Sequence, residues 1–194
     1  MKTSKQMLAW VTSALLAVWS ALPQAAFAAS GTIDLTVTAT CTRAITITNN
    51  PTPYNFGSVA LNITTHSTRA VSVANPASPT ATCADTWSLQ VTGNAGGGTA
   101  WSAAAAATTD VYELRAVFAS AQPVSGDFTD TEDSVRQAGP DTCTATKFVS
   151  TGDCTDIAAG GGAQSLWFQL DLPSTSSGSA DPGLHTITVT VSTL

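Results

Sequence analysis

Residues 185–193 read His-Thr-Ile-Thr-Val-Thr-Val-Ser-Thr, a strict alternation of apolar and polar side chains. Ile187, Val189 and Val191 fall on one face of an extended chain, and threonines fall on the other. β-Branched side chains of this kind suit a pleated surface that is buried on one side. The stretch therefore predicts a β-strand in a sheet that packs on a core.

The same period of two recurs along most of the chain. Further strands are predicted within residues 32–39, 45–47, 71–74, 87–92, 112–118 and 166–172. Turn residues (Gly, Pro, Asn and Ser) bound them, and only the run Ala103–Ala107 has room for a turn or two of helix. Seven or more short strands predict an all-β fold, with seven to nine strands in one antiparallel β-sandwich. Its domain would span residues 29–194.

The composition excludes two classes of protein. Only 10% of the 194 residues are charged, and the net charge is −6, whereas an ordinary soluble domain has about 25% charged residues. A nucleic-acid binder needs a basic surface, which seven Lys and Arg residues do not supply. A cytosolic helical protein would be rich in Glu, Lys and Leu. Because 43% of the residues are hydrophobic, there is enough apolar material for a core.

Residues 1–28 have the pattern of a secretory signal peptide. Lys2 and Lys5 precede an apolar run from Met7 to Leu22, and Ala26-Phe27-Ala28 is an A-x-A cleavage site. The apolar run is short for a transmembrane helix. Cleavage after Ala28 would remove two basic residues and shift the net charge from −6 to −8. We therefore expect an exported protein, periplasmic, extracellular or on the cell surface, with no membrane insertion after cleavage.

The four cysteines predict two disulfides in such a protein. Three pairings are possible for Cys41, Cys83, Cys143 and Cys154. We favour the pairing in which Cys143–Cys154 is a local link and Cys41–Cys83 joins the early strands. The spacings contain no C-x-x-C pair, so a metal site is the weaker interpretation.

Two stretches lack the strand pattern. Residues 93–109 contain Gly96-Gly97-Gly98 and the alanine run, and we expect an exposed loop there. Residues 119–162 are too many for a structureless loop in a compact domain. This second stretch predicts a short strand near Thr144–Val149.

A family resemblance rests on two neighbouring segments. Tyr54-Asn-Phe-Gly-Ser-Val-Ala-Leu61 and Ser67-Thr-Arg-Ala-Val-Ser-Val-Ala-Asn75 resemble a strand pair of Hydin-type (ASH-like) immunoglobulin-like domains. The order of the strands is also similar to that of a group of exported, uncharacterised bacterial proteins. The resemblance implies an immunoglobulin-like sandwich with a structural or adhesive role, and implies fold more than activity. Asn62 replaces the family's usual Gly after Leu61, and Asn tolerates the positive φ that a Gly provides there.

No catalytic residues are predicted, and the protein is expected not to be an enzyme. Nucleophilic catalysis needs a base beside the nucleophile, and the two histidines, His66 and His185, are separated in sequence and expected at the surface. No phosphate loop, nucleophile elbow or H-E-x-x-H motif occurs.

Two candidate binding sites are present in the sequence. The first is for calcium: Asp127, Asp130, Glu132 and Asp133 are hard oxygen ligands in one loop, although their spacing is not that of an EF-hand. No other cofactor is expected. The second is a glycan platform of exposed tryptophans. Trp87 lies on the apolar face of its strand, which leaves Trp101 in a loop and Trp167 opposite Leu166 and Phe168.

The terminal strands suggest a way for subunits to associate. Residues 32–39 and 185–193 are alternating strands at either end of the chain, and terminal strands are exchanged between subunits in pilins. Without exchange, the two strands would close the sandwich within one subunit. The N-terminal strand followed by Cys41 is similar to that of exported pilin-like coat proteins. We expect a structural, cell-surface protein whose partner is itself or another surface protein. The alternatives are a glycan- or ligand-binding module and a pilin-like subunit that assembles by strand exchange.

Overall fold

The computed structural model describes residues 40–48, 54–96, 101–129, 132–177 and 183–194. The predicted signal peptide and the predicted strand 32–39 lie outside these ranges. The described chain from Thr40 to Leu194 is one compact unit. Its strands are β1 (Thr46–Thr48), β2 (Thr64–His66), β3 (Val71–Ala74), β4 (Trp87–Gly96), β5 (Ser102–Ala103), β6 (Val111–Phe118), β7 (Asp141–Thr142), β8 (Ala163–Asp171) and β9 (His185–Thr193).

The strands form two sheets, which confirms the predicted all-β sandwich. The larger sheet has the order β1-β3-β8-β6-β5, with β2 also paired to β8, and the smaller sheet has the order β7-β4-β9. All pairs are antiparallel except β5 with β6. The longest pairing joins β4 to β9 over their whole lengths, with one irregularity between Val91 and Gly93.

The core lies between the inner faces of the two sheets. Trp87 of β4 is fully buried, and its ring centroid is 5.4 Å from that of Phe118 on β6. Leu89 and Val91 continue the buried face of β4, as the alternation predicts. Burial of side chains of this size, at roughly 1.5–3 kcal/mol each, is the main stabilisation of the sandwich.

Residues 133–137 link the two sheets. The amide of Val135 donates to the Leu114 carbonyl of β6, and the Arg136 carbonyl accepts from Val91 on β4. The chain then continues into β7, which pairs with β4. The opposite edge of the smaller sheet is β9.

The prediction of a strand near Thr144–Val149 is wrong. Thr144 accepts hydrogen bonds from the amides of Thr146 and Lys147, which closes a turn there, and Phe148 has a positive φ of 63°. The strand is instead β7, just before this turn. Around it the chain is held by single bridges, among them Phe118 with Val149, and by one turn of 3-10 helix at Ser125–Asp127.

The expected loop at 93–109 is also only partly a loop. β4 extends to Gly96, Trp101 is buried, and β5 follows it. No helix forms in Ala103–Ala107. β4 is longer than the apolar pattern of 87–92 predicts, because all nine residues of β9 pair with it.

Both disulfides have the favoured pairing, Cys41–Cys83 and Cys143–Cys154. They indicate an oxidising environment. Asn62 has a φ of 59°, so the turn after Leu61 does require the left-handed conformation. No helix in the described part of the chain has the length and hydropathy to cross a membrane.

Trp87→Ala should lower the free energy of unfolding by about 3–5 kcal/mol, because it leaves a large cavity between the sheets. Trp87→Phe should cost less, since the ring against Phe118 is kept. Denaturant titration of the oxidised protein measures both losses. The exposed control Thr186→Ala should stay within about 0.5 kcal/mol of the parent, and an equal loss there would contradict the assignment of Trp87 to the core.

Candidate functional site

The outer edge of β9 is the most conspicuous unpartnered surface of the described fold. β9 is nine residues long and pairs with β4 on one side only, and no other described strand pairs with it. Natural edge strands are commonly protected by Lys, Pro or a bulge. Residues 185–193 contain no Lys, Arg, Asp, Glu or Pro, and the one irregularity of this pair is on β4. Among the described strands, the outer edge of β9 is thus unpaired and unprotected.

The apolar core is also partly open beside this edge. Ile187 and Val189 point inward and pack against the core, yet both are only half-buried. We call the β9 edge together with Ile187 and Val189 the β9 groove. One more strand at this edge would cover these side chains.

Trp101 is not an exposed platform. Only 8% of it is accessible, and its ring is stacked on His185 at a centroid distance of 3.6 Å and an angle of 8°. Sugar rings stack on an open aromatic face, and His185 covers one face of Trp101. His185 is accordingly half-buried and not an ordinary surface residue.

Trp167 lies on the outer face of the larger sheet, as its alternation predicts, but it is only partly accessible. Its indole nitrogen donates to the Ala119 carbonyl at 3.0 Å. The two tryptophans lie in different places. Trp101 stacks on His185 at the start of β9, whereas Trp167 is bonded to Ala119 just after the end of β6. Within the described residues, the two candidate platform residues have separate partners, His185 and Ala119.

The candidate calcium ligands are engaged in holding the chain. Asp133 is buried and accepts hydrogen bonds from the amides of Phe148, at 2.9 Å, and Thr129, at 2.8 Å. Burial raises the pKa of Asp133, and these hydrogen bonds act in the opposite direction. Asp127 accepts from the Val124 amide at 2.8 Å, whereas Glu132 is exposed.

Asp130 lies outside the described residues, and the calcium site stays a prediction. Within the ranges that the structure describes, no three His, Cys, Asp or Glu side chains are grouped as metal ligands. The role that the structure gives to Asp133 is to tie the loop before it to the turn at Phe148.

A buried polar network on the outer face of the larger sheet was not predicted from the sequence. Arg115 of β6 pairs with Glu113 at 2.7 Å and with Asp171 of β8 at 3.3 Å. On the neighbouring β2, His66 shares a hydrogen bond of 2.9 Å with Gln169, and its ring lies 5.7 Å from that of Phe128. The alternation placed Glu113 and Arg115 opposite the core, but gave no sign that the segment after β6 covers them.

This network has the chemistry of a structural contact. The acids are paired with a guanidinium, and His66 contacts an amide and an aromatic ring. The expected surface position of His66 is therefore corrected to a half-buried one.

Asp85 is a second buried acid that sequence reasoning missed. It is 2% exposed, and neither carboxylate oxygen accepts a hydrogen bond of ordinary geometry from a described residue. Burial raises its pKa, and the nearby amides of Leu194 and Thr86 and the charge of Arg43 offset this only in part. An unpaired buried carboxylate destabilises the charged state.

Comparison with known proteins gives no relative. No protein-family model, no curated protein and no solved structure matches the chain. The function has to be argued from the fold and from the β9 groove.

Asp85→Asn should make the protein more stable at neutral pH. The pKa of Asp85 is raised in the folded state. The protonated carboxyl group therefore adds to the free energy of unfolding below the unfolded-state pKa, and this stabilisation is lost as the pH rises through the folded-state pKa. Thermal unfolding at pH 3 and at pH 7 should show a larger gain of the variant at pH 7. Asp153→Asn, at an exposed turn, is the control. A variant less stable than the parent at pH 7 would contradict the unpaired state of Asp85.

Proposed function

We propose that the protein is an exported, non-enzymatic structural protein of the cell surface, whose subunits associate when a strand of one copy pairs with the β9 groove of another. The occupant is the alternating segment 32–39 of a second copy. The observation that carries the proposal is the unprotected edge of β9 beside inward-facing apolar side chains that are only half-covered.

The segment 32–39 fits this groove in length and in pattern. Eight extended residues span roughly 26 Å and the nine residues of β9 roughly 30 Å, at about 3.3 Å per residue. Ile33, Leu35 and Val37 would fall on one face and would cover Ile187 and Val189, while the threonines between them would face water. Addition of a strand to an exposed edge gives affinity through main-chain hydrogen bonds and specificity through alternate side chains.

Export is part of the same proposal. The signal-peptide pattern of residues 1–28 supports it, and so do the two disulfides, which form in oxidising compartments. The similarity to exported immunoglobulin-like domains is consistent with a structural role and stays a proposal. Intact-mass measurement of the secreted protein should give a chain that starts at Ala29; retention of residues 1–28 in the secreted protein would contradict cleavage.

A charge placed in the groove should prevent association. In Ile187→Lys the long side chain can still reach water while the groove is empty, but a docked strand would bury the ammonium group without a partner. Size-exclusion chromatography with light scattering, and negative-stain images of the chain from residue 29, should show concentration-dependent oligomers for the parent and monomers for this variant.

Thr188→Lys is the matched control, because Thr188 is the next residue of β9 and points to solvent. It should assemble like the parent. A synthetic peptide of residues 31–39 tests the occupant without changing the fold, and it should bind the domain and shorten the oligomers. A parent that stays monomeric at high concentration, or equal losses in the two lysine variants, would overturn the proposal.

A further inference from the structure

Three residues with an unpartnered buried nitrogen lie at the end of the sandwich where β9 begins. His185 pairs with Gly96 and Ile187 with Asn94, so His185 and Asn94 are diagonal neighbours across the β4–β9 ladder. Such neighbours share a face and are about 7–8 Å apart. Trp101 is stacked directly on His185. Asn94 points inward, because its side-chain oxygen accepts a hydrogen bond from the hydroxyl of the buried Tyr112.

None of the three nitrogens has a hydrogen-bond acceptor in the described part of the chain. The buried atoms are Nδ2 of Asn94, Nε1 of Trp101 and Nε2 of His185. The amide nitrogen of Asn94 and the indole nitrogen of Trp101 can only donate hydrogen bonds, and Nε2 of His185 donates when it carries a proton. Leaving a buried donor unpaired costs about 1–3 kcal/mol. Since Trp101 is more than nine-tenths buried, its orphan N–H is a feature of the site and not of a solvated surface.

The neighbouring acid does not supply the missing acceptor. Asp110 lies just before Val111 and Tyr112 on the chain, but its carboxylate accepts from the amide of Ser177 at 2.8 Å and from the hydroxyl of the same residue. These hydrogen bonds lower the pKa of Asp110. The oxygen of Asn94 is likewise engaged, because burial raises the pKa of Tyr112 and keeps its phenol a donor.

We propose that Asn94, Trp101 and His185 form a binding site for a small carboxylate. One water oxygen has two lone pairs and cannot accept from all three donors, whereas a carboxylate has about four acceptor positions on two oxygens. The planar carboxylate can lie at the edge of the Trp101–His185 stack and accept hydrogen bonds from N–H groups on both sides. The site uses the side chain of His185 at the start of β9, whereas the β9 groove uses the main-chain edge of β9 and the side chains of Ile187 and Val189.

Acetate is the probe. In ¹⁵N–¹H spectra of the chain from residue 29, the indole N–H of Trp101, assigned from its loss in Trp101→Phe, should move in a saturable way as sodium acetate replaces sodium chloride at constant pH and ionic strength. The indole signal of Trp167, which is bonded to Ala119, serves as the internal control and should not move.

Asn94→Asp keeps the acceptor for Tyr112 and turns the Nδ2 donor into a carboxylate oxygen. It should weaken acetate binding at least tenfold, and thermal unfolding should confirm that the variant folds. No saturable shift in the parent would mean that water alone occupies the site, which overturns the proposal. Equal saturation with chloride would overturn the carboxylate class, and unchanged binding in Asn94→Asp would place the ligand elsewhere.

Discussion

The pairing of β4 with β9 is the contact on which the rest of the structure depends. β4 carries Trp87 into the centre of the core, and β9 is its partner over the whole length. The smaller sheet has only three strands against five in the main path of the larger one. Because β9 ends this sheet, the inequality leaves inward-facing apolar side chains half-covered on that side. The open edge and the open core are thus one feature of the fold and not two.

Side-chain alternation was enough to predict most of this architecture. The six strands that alternation predicts on described residues all correspond to strands, whereas the strand expected near Thr144–Val149, which had no alternation, does not form. The face with Leu89 and Val91 is buried as expected. Alternation succeeds here because the side chains that face the core are apolar and most of those on the opposite face are polar. The short strands β2, β5 and β7 had no such signal, because two or three residues are too few for a period and their positions depend on contacts made by distant segments.

The candidate sites were harder to predict for a related reason. The sequence shows which residue types are present, but the partner of a side chain depends on which loop covers it. In sequence, Asp133 is a candidate cation ligand in an acidic loop, yet in the structure it accepts hydrogen bonds from the amides of Thr129 and of the distant Phe148. Trp101 reads as a loop aromatic, yet β5 and the start of β9 enclose it. In both cases long-range contacts decide the role, and no local pattern encodes them.

The threonines that line β9 have a consequence for the conditions in which the protein works. Residues 185–193 contain no Asp, Glu, Lys or Arg, so pairing at this edge would rest on main-chain hydrogen bonds and apolar contact. Dissolved salt screens interactions between exposed charges over about 8–10 Å at ordinary ionic strength, and it has little to screen in such a contact. A surface layer joined in this way would keep its cohesion from fresh water to brine, without the charge pairs that a change of salinity weakens.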